Sequence, residues 1–118
     1  MAQQNENIIL KKSYDFALKV VVLCRKIQIE EKEFQLSKQL YRSGTSIGAN
    51  AEEAIGGVSK KDFANKLGIS YKEARESKYW LRLMRDSELV DEELTNELIA
   101  DVDELARILF SIIRSSKN

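Results

Sequence analysis

The chain has no proline and only five glycines in 118 residues, and this restricts its fold more than any other feature. The usual breakers of helices are missing, and strict apolar/polar alternation never persists long enough to mark strands. An all-α fold follows, with helices expected at about 8–29, 34–55, 59–86 and 91–114. Short links between them favour an antiparallel up-down-up-down four-helix bundle, flanked by flexible tails at 1–7 and 115–118. A 43% hydrophobic content supplies one core, and the length is that of one domain.

Each segment carries an apolar face at helical spacing. The first places Ile9, Phe16, Val20, Leu23 and Ile27 on one stripe. Beside it runs a second arc of Leu10, Tyr14, Ala17, Val21 and Cys24. The two arcs together are wider than packing within one small bundle requires, so Tyr14 and Val21 are candidates for a subunit interface. The second segment places Leu36, Leu40, Ser43, Ile47, Ala51 and Ala54 on one stripe and ends at Gly56-Gly57, a helix stop. Its middle, Ser43 to Ala51, is rich in small residues of poor helix propensity, so packing must hold it helical and a neighbouring helix can approach closely. In the third, Ser59 and Asp62 resemble a capping box, and Phe63, Leu67, Ser70, Ala74, Ser77, Leu81 and Met84 form an unbroken heptad-like seam. The fourth opens near Asp91-Glu92-Glu93 and carries Leu94, Leu98, Val102, Leu105, Leu109 and Ile112.

Inventory removes several chemistries. With no histidine and one cysteine, zinc fingers, thiolate clusters, Ser/His/Asp triads, Cys/His dyads and disulfide frameworks are excluded. No metal or cofactor is expected. No run of about 18 apolar residues spans a bilayer and no signal peptide is recognisable, so a soluble, cytoplasmic protein without a membrane partner is expected. Nineteen basic residues balance nineteen acidic ones, which weighs against a polycation that binds phosphate over its whole surface.

The stretch Asp62 to Arg75 looks like a helix-turn-helix, with Gly68 in the turn and Ser70 capping a recognition helix. Such a motif needs bulky apolar residues to pin its second helix, and this chain offers only Ala74 and Ser77. The seam from Phe63 to Met84 passes Gly68 without losing phase, so one continuous helix is expected.

The local charge is uneven. Residues 58–87 hold eight basic and four acidic side chains, whereas 88–118 hold three basic and eight acidic. Arg75, Lys78, Arg82 and Arg85 fall on one flank of the third helix, and Glu93, Glu97, Asp101 and Glu104 on one flank of the fourth. One reading has these flanks facing each other, within the hairpin or between subunits, to fix register. The other has Lys60, Lys61 and Lys66 joining the basic flank to bind nucleic-acid phosphates. If the flanks pair, little positive potential remains for RNA. Tyr79 and Trp80 lie away from the seam, as oligomer contacts or as a platform for bases. On the second helix, Gln39, Ser46, Asn50 and Glu53 form a polar stripe, expected to satisfy hydrogen bonds with a neighbouring helix rather than to catalyse, since no nucleophile is paired with a base.

The stretches Lys12 to Leu18, Leu36 to Ala54, Ser59 to Phe63 and Glu73 to Leu81 resemble the bacterial four-helix-bundle family named after proteins encoded in intervening sequences of 23S ribosomal RNA. Gln39 to Ala54 is the most specific part. The resemblance implies an antiparallel bundle that assembles into a ring, typically a pentamer, with no known catalytic residues. It also implies kinship with the accessory protein of diversity-generating retroelements, a pentameric bundle that binds nucleic acid and partners a reverse transcriptase. Those accessory proteins are strongly basic where this chain is neutral, and Glu52 stands at a position that is often basic in the family. The expectation is a non-enzymatic homo-oligomeric scaffold or adaptor that binds structured RNA through phosphates. The alternatives are a scaffold for an unidentified protein partner without nucleic acid, and a helix-turn-helix DNA binder.

Overall fold

The computed structural model describes residues 2–57 and 59–116. It contains α1 (Ala2–Glu30), α2 (Gln35–Ile55), α3 (Lys60–Asp86) and α4 (Glu92–Ser116), with no strand among the described residues. At about 1.5 Å per residue, α1 is about 44 Å long, matching the longest dimension of 46 Å. A linker of four or five residues reaches at most about 18 Å, so consecutive helices that pack along their length must run antiparallel. The packing order is cyclic, α1 on α2, α2 on α3, α3 on α4 and α4 back on α1, and this last seam is the least closely packed.

α1 starts six residues ahead of the expected Ile8. Residues 2–7 lack apolar periodicity, but they also lack proline and glycine, and extending a formed helix adds one hydrogen bond per residue fixed. α4 likewise runs on to Ser116 through two of the residues expected to be flexible. The tail expectation at Met1, Lys117 and Asn118 lies outside the described residues.

The core is built from the expected faces. Ile9, Phe16, Val20, Leu23 and Ile27 are buried on α1, and Leu67, Ser70, Ala74, Ser77, Leu81 and Met84 on α3. Cys24, assigned by its spacing to the second arc, is in the core, and its thiol donates to Ser37 O at 3.3 Å. Burial pushes that thiol up to about 12.

Small residues on α2 set the approach of α1. A Cβ at Gly44 would lie 2.9 Å from Val20 Cγ2, and one at Gly48 would lie 3.1 Å from Ser13 Oγ. Gly68 is the opposite case, with nothing within 4 Å of an added Cβ. α3 runs through it unbroken, so the described structure contains no helix-turn-helix at this point.

The helix ends follow local chemistry. Asp62 N donates to Ser59 Oγ at 3.0 Å, capping α3. Before α2, the Glu33 carboxylate accepts the N–H groups of Gln35, Leu36 and Ser37 at 3.1, 3.0 and 3.0 Å, filling the donors that a helix start leaves open. Gly56 N donates to Glu52 O and Gly57 N to Ala54 O where α2 stops. Neither glycine takes a positive φ, but a Cβ at Gly57 would lie 3.0 Å from the backbone oxygen Ala54 O, an approach that favours glycine there.

Candidate nucleic-acid interface

Within the chain, the two charged flanks do not face each other. The acidic flank of α4 turns to α1: Lys19 Nζ lies 2.8 Å from Asp101 and 3.4 Å from Glu97, and Lys12 Nζ lies 3.1 Å from Glu104. Between α3 and α4 the one ion pair among the described residues is Lys78 Nζ to Asp103 Oδ1 at 2.9 Å. This corrects the pairing expected within the hairpin, because a helical wheel places a charge on a flank but does not say which neighbour that flank meets. Three of the four acids that were to neutralise α3, Glu97, Asp101 and Glu104, are engaged by lysines of α1.

The seven basic candidates separate into different settings. Arg75, Lys78 and Arg82 come together along a concavity of about 420 Å3 between α3 and α4. Its remaining wall includes Tyr71, Tyr79 and Asp103, with Ala74 and Ala106 among its lining. Lys60 and Lys61 are exposed at the first turn of α3. About 20 Å of helix axis separates Lys61 from Arg75. Lys66 lies on the other flank, 3.2 Å from Glu53 of α2. Arg85 is held at the end of α3 by Asp86 at 2.8 Å and Asn96 at 3.0 Å. Among the described residues, no carboxylate lies within ion-pair distance of Lys60, Lys61, Arg75 or Arg82.

The aromatic candidates also separate. Tyr79 is 52% exposed and lines the basic concavity. Trp80 is half-buried and meets Tyr79 edge-on, with centroids 5.2 Å apart and planes at 73°. Its Nε1 is buried and has no hydrogen-bond partner among the described residues.

The polar stripe of α2 behaves differently from the expectation. Ser46 Oγ donates to Arg42 O at 2.6 Å, and Asn50 Nδ2 donates to Ser46 O at 2.8 Å, so both satisfy their own helix. Glu53 does reach α3, through Lys66. Gln39 is exposed. The main polar link between α2 and α3 at the surface is instead Arg42, which donates to Glu73 at 3.1 Å and to Glu76 at 2.7 Å. The Arg42 hydrogen bond holds the Glu76 carboxyl below its usual range, whereas burial moves that of Glu73 up against the pull of the same guanidinium. Among the described residues no three acidic or cysteine side chains gather as metal ligands, and no helix is long and apolar enough to cross a membrane.

On α1, Tyr14, Leu18, Val22 and Ile29 are 58%, 50%, 66% and 70% exposed. Val21 is half-buried beside them. Their spacing aligns them on the outer face, opposite the core stripe.

Architecture and surface define a four-helix bundle with an exposed apolar stripe on one helix and a basic, aromatic groove between two others. The chain belongs to the 23S rRNA-intervening sequence protein family, whose model matches residues 5–111. It is similar to a crystallised protein of unknown function from the S23 ribosomal protein family of Bacteroides thetaiotaomicron. The two are 44% identical with a TM-score of 0.91, over 93% of this chain and 98% of that one. No curated protein matches the chain.

Proposed function

We propose that the protein is a non-enzymatic scaffold or adaptor, assembled as a ring-like homo-oligomer, that binds structured RNA through backbone phosphates. The observation that carries this reading is the division of charge. Lysines of α1 engage the acids of α4, which leaves Arg75 and Arg82 of α3 available to phosphate beside Lys78. Guanidinium forks suit phosphate geometry and stay charged at any physiological pH.

Assembly is supported by the stripe of Tyr14, Leu18, Val22 and Ile29, too continuous for scattered surface residues. A ring joins two different patches of neighbouring copies. Half-buried Trp80 and exposed Leu83 supply apolar surface on α3, which does not pack on α1. A pentamer is the ring size that the family resemblance implies.

The test is native mass spectrometry together with RNA binding across a salt series. A ring is expected, and Arg75→Gln/Lys78→Gln/Arg82→Gln should lower affinity and reduce the slope of log K against log salt by about 2 to 3. Unchanged affinity in the triple variant would remove the phosphate reading; if the ring also dissociated, these charges would be assembly devices.

A further inference from the structure

The groove between α3 and α4 has a shape that phosphate contact alone does not require. Phosphate contact needs only exposed cations within reach of the backbone, and Lys60 and Lys61 at the helix start already provide them. Arg75 and Arg82 stand instead on the rim of a concavity of about 420 Å3, within the roughly 300–1,000 Å3 of small-ligand sites. Small side chains at Ala74 and Ala106 open the space, and Tyr71 and Tyr79 supply ring surface in its wall. A second hollow of about 390 Å3 continues from it along α4, sharing Tyr71, Asp103 and Ala106 and adding Arg107 and Phe110. The two hollows together form a track of alternating cation and ring.

Tyr79 and Phe110 are 52% and 53% exposed. Each is fixed by an aromatic neighbour: Tyr79 by Trp80 at 5.2 Å, and Phe110 by Tyr71 at 6.1 Å. Rings positioned in this way lose little freedom when a planar group stacks on them. Asp103 is the one acid in the track, and its ion pair with Lys78 at 2.9 Å partly neutralises it. A carboxylate in that position accepts hydrogen bonds, which suits the amino edge of a base better than a phosphate.

We propose that this groove seats an unpaired nucleotide of an RNA strand, with the base over Ala74 and Ala106 against the tyrosine rings and the flanking phosphates on Arg75, Arg82 and Arg107. The inference rests on the RNA-binding reading above and deepens it, from contact with phosphates to capture of an unstacked base. Stacking on aromatic rings is the common means of holding single-stranded RNA, because every base has a π-face. A duplex keeps its bases stacked inside and cannot place one in the hollow.

The experiment compares the full chain with a variant that fills the hollow without changing its charge, Ala106→Met. The probes are a single-stranded oligoadenylate and a blunt RNA duplex of equal length, followed by fluorescence anisotropy of the RNA and by emission of Trp80, the only tryptophan. Oligoadenylate is expected to change Trp80 emission through Tyr79. Ala106→Met should weaken oligoadenylate binding about ten-fold and leave duplex binding unchanged. Tyr79→Ala, at an exposed position, should give the same selective loss and serves if Ala106→Met fails to fold. Equal loss for both RNAs, or loss for neither, overturns the groove as a base site and leaves phosphate binding standing. Failure of the unaltered protein to bind either RNA overturns both readings.

Discussion

The same substitution, glycine to alanine, should have opposite effects at two positions in this bundle. Both Gly44 and Gly68 lie inside helices at ordinary φ, so alanine relieves the same backbone penalty of about 0.8–1 kcal/mol. At Gly68 nothing lies within 4 Å of the new Cβ, and Gly68→Ala is expected to stabilise by that full amount. At Gly44 the new Cβ would lie 2.9 and 3.0 Å from the two γ-methyl carbons of Val20. Val20 is fully buried and β-branched, with one strongly preferred rotamer in a helix, so it cannot turn aside. Overpacking of this kind costs about 1–3 kcal/mol, which cancels or exceeds the propensity gain and separates the two variants by about 1–3 kcal/mol. Urea unfolding followed by far-ultraviolet circular dichroism, at one fixed protein concentration, measures the difference. Val20→Ala should cost less in the Gly44→Ala background than in the unaltered chain, with a coupling on the order of 1 kcal/mol. Equal stabilisation by both alanines would refute the close approach of α1 to α2.

Two other outcomes follow from buried and paired groups. Cys24, pushed up to about 12 mainly by burial, should resist alkylation in the folded protein at mildly alkaline pH and react readily once denatured; rapid labelling without denaturant would contradict its place in the core. Glu76, lowered from 4.5 chiefly by its hydrogen bond from Arg42, contributes stability that is present above that value and lost as pH falls through its lowered folded one. Glu73, raised mainly by burial, works in the opposite sense, so its ionisation opposes folding as pH rises through the same region. Glu76→Gln should therefore destabilise the neutral protein more than Glu73→Gln, and the reverse order in thermal melts would refute this assignment.

What the sequence reveals depends on whether a property belongs to one helix or to several. The seam of α3 could be read through Gly68 because heptad phase is local, and the small residues of α2 showed where a neighbour comes close. The early start of α1 escaped because Gln3, Gln4 and Glu6 favour a helix without marking a face. The partner of the acidic α4 flank escaped for a different reason. A helical wheel is the same for either hand of a bundle, and the hand decides whether Glu97 and Asp101 meet α1 or α3. The basic half of the groove, Arg75 and Arg82, was visible as a flank, whereas Arg107 and Phe110 gained meaning only once Ala106 of α4 faced Ala74 of α3. Glu33 was missed as a cap because it precedes the helix by two residues, just after Lys32 at φ 55°.

The directional bonds of the interior are unevenly shared. Ser77 Oγ donates to Ser43 Oγ at 2.9 Å, Ser70 Oγ to Ile47 O at 2.7 Å, and Cys24 Sγ to Ser37 O at 3.3 Å, so α2 is pinned on both sides by groups that tolerate no sliding. Among the described residues no buried side-chain hydrogen bond ties α4 to a neighbour, and its polar links to α1 and α3 are exposed. Apolar contact is not directional, and exposed ion pairs are screened by salt. The bundle is therefore a three-helix frame tied by buried directional bonds, against which α4, which carries half of the groove, is held by its buried apolar row and by ion pairs that salt weakens.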